Sequence, residues 1–224
     1  YCPVRILRKV FFYFFAITVI WVLIYRFVNP PITLLMIQRG FERQSDKKGW
    51  KIKKRWRNYN ELSNNLKKAA IAGEDANFLS HWGFDFNAIK RAYQKNKSGR
   101  KIHGGSTISQ QTAKNVFLWP DRSWLRKGLE AYFTILIELL WSKERILEVY
   151  LNVIEMGDGI YGAEAATQTF FKKPATHLSK LEASLLVAIL PNPLHWSPKK
   201  PTRYIRYRQQ VILRNIQRLE NHSL

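Results

Sequence analysis

The chain has 224 residues, room for one catalytic domain with an appendage or for two small domains. A 46% hydrophobic share supports a packed core, and a net charge of +21 points to a polyanionic partner: nucleic acid, an anionic membrane surface or a phosphate-bearing substrate. The single cysteine, Cys2, excludes a disulfide framework and an all-cysteine metal site, and the histidines show no metal-ligand spacing.

Arg5, Arg8 and Lys9 precede an uncharged run, Val10–Tyr25; Arg26 interrupts it, and Phe27 and Val28 extend it. A spanning helix needs roughly 20 apolar residues, and about 17 suffice. Residues 10–28 meet that length if Arg26 snorkels to the interface. Aromatic residues crowd both ends, from Phe11 to Phe15 and again at Trp21 and Tyr25, as membrane interfaces favour. A cleaved signal peptide is the rival, but the run is too long and no small-residue cleavage site follows. The leading basic residues place 1–9 in the cytoplasm, and a long domain can cross the membrane whatever its charge.

Asn29-Pro30-Pro31 ends this helix. Ile32–Ile37 is a second short apolar run, and Gln38–Asn60 is rich in Lys and Arg with Trp50 and Trp56 among them. That segment reads either as a solvated linker or as a collar lying on anionic headgroups. From Ser63 onward the pattern is helical. Ser63 or Asn64 caps a helix to Gly73, and Asp85 caps one through Tyr93. Tyr93–His103 is polar and basic and reads as a mobile flap. Helices are then predicted over Ser106–Asn115, from Ser123 to Trp141 and from Ser142 to Ile154. A capping box at Ser179–Glu182 opens a further helix, and Pro201 opens a last basic one to Leu219. No strand pattern and no repeat is expected. The chain divides into 1–9, the helix 10–28, a membrane-proximal 29–60 and a catalytic 61–219.

Two carboxylates stand out. Glu74 ends the apolar stretch Ala69–Gly73, where partial desolvation would raise its pKa toward general-base range; a solvated helix-end acid is the plainer reading. Glu130 and Glu138 are the only charges between Gly128 and Trp141, on a helix apolar enough to be buried. A buried charge needs a partner, and Arg126 and Lys127 share the Glu130 face at i−4 and i−3. A structural ion pair and a carboxylate in an anion-binding pocket fit this pattern equally. Gln110, Gln111 and Lys114 fall on one side of a helix, Arg122, Arg126 and Lys127 follow, and Arg91 lies on the helix before. Behind Gly104-Gly105, with Ser106 next, helix N-terminal amides add to the pull on a pyrophosphate; a generic basic surface is the competing account.

Other motif matches fail their context. Gly157-Asp158-Gly159-Ile160-Tyr161-Gly162 fits a dinucleotide pattern but follows a helix. Ser-x-x-Lys at Ser45, Ser98 and Ser197 lacks its Lys-Thr-Gly companion. No nucleic-acid-binding module is recognisable.

The segments Glu74-Asp75-x-x-Phe78-x-x-His81-x-Gly83-Phe84-Asp85 and Gly104–Gln111 resemble the first two signatures of the peptidoglycan glycosyltransferases. Arg126-Lys127-x-x-Glu130 resembles the third, Lys143 to Asn152 with Gly157, Gly159 and Tyr161-Gly162 the fourth, and Glu182-Ala183 through Pro198 the fifth. The similarity covers 61–198; beyond about Thr202 it carries no functional residue.

The resemblance implies a mainly all-α, lysozyme-like domain, a membrane-proximal jaw and one N-terminal transmembrane helix, as in monofunctional members of the family. It implies inverting polymerisation of lipid II onto a growing glycan strand, with undecaprenyl pyrophosphate released on the periplasmic side of the bacterial inner membrane. Glu74 would be the general base. Lys114, Arg122, Arg126 and Lys127 would neutralise the pyrophosphate, with Arg91 near the donor. Ser106, Gln110 and Gln111 would contact substrate. Glu130 would orient the cations or hold a magnesium or manganese ion, which the sequence does not require. Cell-wall synthesis or division proteins are the implied protein partners. A lytic transglycosylase or a membrane-anchored basic binding protein are the rivals; neither needs both the cation cluster and the five ordered motifs.

Overall fold

Helix starts fall where the sequence supplies an oxygen to the first unpaired amides. In a computed structural model describing residues 3–97, 105–121 and 123–222, Ser63 accepts from the Asn65 amide and opens α3 (Asn64–Glu74). Ser123 opens α6 (Trp124–Leu140), and Ser142 opens α7 (Lys143–Val153). Ser179 and Glu182 form the expected capping box of α9 (Lys180–Ala188). The anchor helix α1 runs Pro3–Phe27, starting earlier than the apolar run because basic residues are compatible with helix. The last helix, α10, is Arg203–His222.

Several elements differ from expectation. The predicted Ser106 helix is α5 (Ile108–Phe117), capped by Thr107. The helix after Asp85, α4 (Phe86–Lys97), continues into the segment read as a flap; residues 98–103 of that reading lie outside the described residues. Leu34–Ser45 forms α2, and Ala163–Phe170 forms α8; neither was expected. Within α2, Gly40 resembles a helix breaker but is a packing seat: a Cβ there would lie 2.6 Å from the Trp50 ring.

Among the described residues three short strands also form, β1 (Lys53–Lys54), β2 (Glu155–Gly157) and β3 (Ile160–Tyr161), in the order β1-β3-β2. β2 and β3 pair antiparallel, and β1 joins β3 in parallel. They are too short for alternation to show in sequence. The dinucleotide-like glycine pattern is this hairpin. Gly162 closes it at φ +77°, and a Cβ there would lie 2.5 Å from the Asn152 carbonyl oxygen. With ψ 163° this is a backbone region essentially reserved for glycine, where a side chain costs about 1–3 kcal/mol before any clash. Gly162→Ala is expected to lower the thermal midpoint by several degrees, measured on detergent-solubilised protein; an unchanged midpoint would contradict this close approach.

The core lies where α5 packs between α6 and α7, and where α3 packs on α9 and α10. Leu66, Phe78, Ile108, Ile146, Leu147, Tyr150 and Leu186 are fully buried there. Fourth-motif residues fasten the membrane-proximal segment to this core. Glu148 accepts from Trp56 Nε1 at 3.2 Å and the Tyr59 amide at 3.0 Å. Asn152 accepts from the Arg57 amide and donates to its carbonyl, both at 2.8 Å.

Helix α1 is long and apolar enough to cross a membrane. Its second half packs on the domain: Thr18 and Tyr132 share a hydroxyl hydrogen bond of 2.7 Å, and Trp141 Nε1 donates to the Val22 carbonyl at 2.8 Å. Arg145 donates to the Tyr25 and Val28 carbonyls, each at 2.9 Å, satisfying acceptors that the helix end leaves open.

Candidate active site

Glu74 closes α3 where that helix crosses α9 at short range. The residue before it is glycine, and a Cβ on Gly73 would meet Val187 Cγ1 at 2.7 Å. The Glu74 side chain is only 13% exposed. Its Oε2 accepts from Gln111 Nε2 at 3.0 Å. Its Oε1 stands 3.7 Å from Arg208 Nη2 and has no hydrogen bond. Burial raises its pKa above the ordinary glutamate value, although Gln111, Arg208 and Lys114 all pull it down; burial is the larger effect. A carboxylate whose pKa is raised in this way is a stronger base than an exposed glutamate.

The start of α5 brings Gln111 to this carboxylate. Thr107 and Gln110 form a capping box, with the Gln110 Oε1 accepting from the Thr107 amide at 3.0 Å. Thr107 Oγ1 donates to the Gly83 carbonyl at 2.6 Å. Asp75, next to Glu74, accepts from the Ile108 amide at 3.0 Å and from His81 Nε2 at 2.9 Å. First and second motifs are thus bonded to each other. Behind Gln111, the buried Tyr150 hydroxyl donates to Gln111 Oε1 at 3.4 Å, which fixes the amide with its nitrogen toward Glu74.

Glu130 is buried on α6 between two cations of its own helix. Arg126 Nη1 donates to Oε2 at 3.0 Å, and Lys127 Nζ bonds Oε1. These two cations face different cavities. Arg126 lines a cleft of about 280 Å³ with Gln111, Lys114 and Asn115. Lys127 lines a cavity of about 340 Å³ with Ser106, Gln110 and Tyr93. Glu130 therefore holds one cation for each. Both of its oxygens are already engaged by cations, and the described residues contain no cluster of three His, Cys, Asp or Glu. The donor set does not fit a resident magnesium or manganese ion.

Glu74, Gln111, Lys114, Arg126, Lys127 and Glu130 gather on α3, α5 and α6 as the motifs imply. Ser106 and Gln110 line the second cavity, with Gln110 also serving as a cap. Arg91 lies on α4; its side chain, and Arg122 altogether, are outside the described residues. Arg208, Arg39 and Glu155 were missed. Arg208 lies in the stretch expected to carry nothing functional, yet it faces Glu74 from α10. Only its spacing on an amphipathic helix hinted at an inward face.

The fold and site define a mainly helical enzyme domain with a buried carboxylate set among cations. A family model described as transglycosylase matches residues 43–217. The chain belongs to the transglycosylase family; it is a glycosyltransferase, and its domain is lysozyme-like. It is 51% identical to the biosynthetic peptidoglycan transglycosylase of Caulobacter vibrioides, over 93% of this chain and 90% of that protein. Identity is 50% to the protein of that name from Stutzerimonas stutzeri, over 95% of this chain and 88% of the relative. It is also 50% to that from Pseudomonas syringae pv. tomato, over 96% and 91%.

Proposed function

We propose that this peptidoglycan transglycosylase polymerises lipid II during cell-wall synthesis by inverting transfer, with Glu74 as general base. The observation that carries the reading is a buried, pKa-raised Glu74 bonded to Gln111, which lines the cleft that holds Lys114 and Arg126. A transfer between two pyrophosphate-bearing substrates needs two anion sites and one base. A lytic enzyme cleaving uncharged sugar linkages needs no such cations.

Glu74 takes the proton from the GlcNAc 4-hydroxyl of lipid II. The freed oxygen attacks the anomeric carbon of the strand's terminal MurNAc from the face opposite its pyrophosphate. The bond from that carbon to the phosphate oxygen breaks, and undecaprenyl pyrophosphate leaves with the electron pair. It is already a good leaving group, so neutralisation by Lys114, Arg126 and Lys127 matters more than acid catalysis. Arg122 and Arg91 would add to it. Gln111, held by Tyr150, keeps the base in line. No step runs through a metal; a divalent ion would arrive on the substrate's pyrophosphate. Helix α1 anchors the enzyme in the membrane that carries both lipid substrates, with the domain on the periplasmic side.

Labelled lipid II incubated with the detergent-solubilised protein, and products separated by size, tests this. Long glycan is expected; short cleavage products from preformed glycan would favour the lytic reading. The pH profile gives a second test. The base works deprotonated, and burial raises its pKa, so kcat/KM should fall on acidification with an apparent pKa above about 4.3. A flat profile down to about pH 4 would remove Glu74 from that role.

A further inference from the structure

The 280 Å³ cleft has a wall that none of the five motifs supplies. Besides residues of α5 and α6, its lining takes Leu35 and Arg39 from α2 and Glu155 from β2. Arg39 is held from two sides. Its Nη1 donates to Glu42 Oε2 at 2.6 Å, one turn along α2. Its Nε lies 3.5 Å from Glu155 Oε2, close enough for an ion pair and too long for a hydrogen bond. That Nε is buried and has no hydrogen-bond partner.

Glu155 is the buried half of this pair, with its side chain 8% exposed, and it accepts from the Tyr161 hydroxyl at 3.3 Å. A buried carboxylate is costly unless paired, and Arg39 and the Tyr161 hydroxyl are the partners of Glu155. The neighbourhood indicates the ligand. Pro120 is shared between this cleft and an adjacent groove lined by Leu34, Ile37, Phe41 and Trp119. A cleft lined by Arg39, Lys114 and Arg126 therefore adjoins an open groove whose apolar residues are interspersed with Gln38, Glu42 and Ser45, on the helix that follows the membrane anchor directly. A pyrophosphate joined to a polyprenyl chain has that pair of chemistries.

We propose that Arg39 binds the pyrophosphate of a polyprenyl-linked substrate from the α2 wall of the cleft, and that Glu155 is its positioning residue. The inference rests on the glycan-polymerase reading for the substrate's identity, but its binding test does not require turnover. Arg39 shares the cleft lining with Lys114 and Arg126, so a pyrophosphate there would meet a cation from α2 as well as those from α5 and α6.

The test is titration of the full chain in detergent with undecaprenyl pyrophosphate, and separately with inorganic pyrophosphate. Wild type is compared with Arg39→Gln, Arg39→Lys and Glu155→Gln, each checked for an intact circular-dichroism spectrum. A charge-assisted contact predicts about ten- to a hundredfold weaker binding of both probes by Arg39→Gln. Partial recovery is expected in Arg39→Lys and a smaller loss in Glu155→Gln. In lipid II turnover the same variants should lower kcat/KM in the same order. Equal binding by wild type and Arg39→Gln overturns the proposal, as does no binding of either probe by wild type. A loss confined to the lipid-linked probe assigns the effect to the apolar groove and also overturns it. Weakened binding without lipid II polymerisation by the wild type would keep the Arg39 site and reject the polymerase reading.

Discussion

Glu74→Gln is expected to lower kcat for lipid II polymerisation by about 10³-fold while leaving substrate binding intact, since general base catalysis is worth roughly 10²–10⁴-fold. The amide keeps the shape and can still accept from Gln111, which donates at 3.0 Å in the native pair. It cannot take the acceptor's proton. The same variant tests the burial argument. The folded-state pKa of Glu74 is raised, so folding is favoured by its protonated form. That contribution is fully present below the unfolded pKa and lost as pH rises through the folded one. Above the folded pKa the desolvated Glu74 carboxylate thus costs stability, offset in part by Arg208 at 3.7 Å. Burial is the larger of these effects, so Glu74→Gln should melt no lower than wild type at about pH 7. Residual polymerisation near the wild-type rate would sink the base assignment. Binding lost together with turnover would make Glu74 a ligand contact instead.

Much of this site is legible in the sequence because its parts are local. Arg126, Lys127 and Glu130 share one helix, where spacing alone forecasts the pairing seen at 3.0 Å. Cap residues such as Ser63, Ser123 and Ser179 mark helix starts by their own hydrogen-bonding chemistry. The first two motifs announced a carboxylate and a polar turn, but not the Asp75 bond to the Ile108 amide that joins them. What sequence could not give is long-range. Arg39 and Glu155 meet in the lining of the cleft from distant segments, and one basic residue among many carries no mark of its partner. Arg208 reaches Glu74 only because α10 packs on α3. The strands escaped notice for a different reason: pieces of two or three residues have no periodicity, and β1 exists only because β3 is already in place.

Glu130→Gln should be the most damaging single change outside Glu74, in stability and in rate together. Glu130 side-chain exposure is 4%, and that of Arg126 is 10%. Removing one partner of a buried ion pair typically costs about 3–5 kcal/mol, because the other charge is left without compensation. Arg126 bears most of this, since its Nε already lacks a partner; Lys127, 46% exposed, can turn to water. A loss of about 3 kcal/mol is therefore expected by urea unfolding. The catalytic effect is separate. Without the carboxylate between them, Arg126 and Lys127 no longer hold fixed positions in the two cavities, and pyrophosphate neutralisation weakens on both sides. The rate per folded molecule should fall at least about 10²-fold, the scale of losing one preorganised charge contact. Assays at low temperature, corrected for the folded fraction, separate the two effects. If the corrected rate matches wild type, Glu130 is a structural ion-pair residue and the cations orient themselves. If it stays low while Glu130→Asp recovers part of it, the carboxylate acts through the two cations it holds.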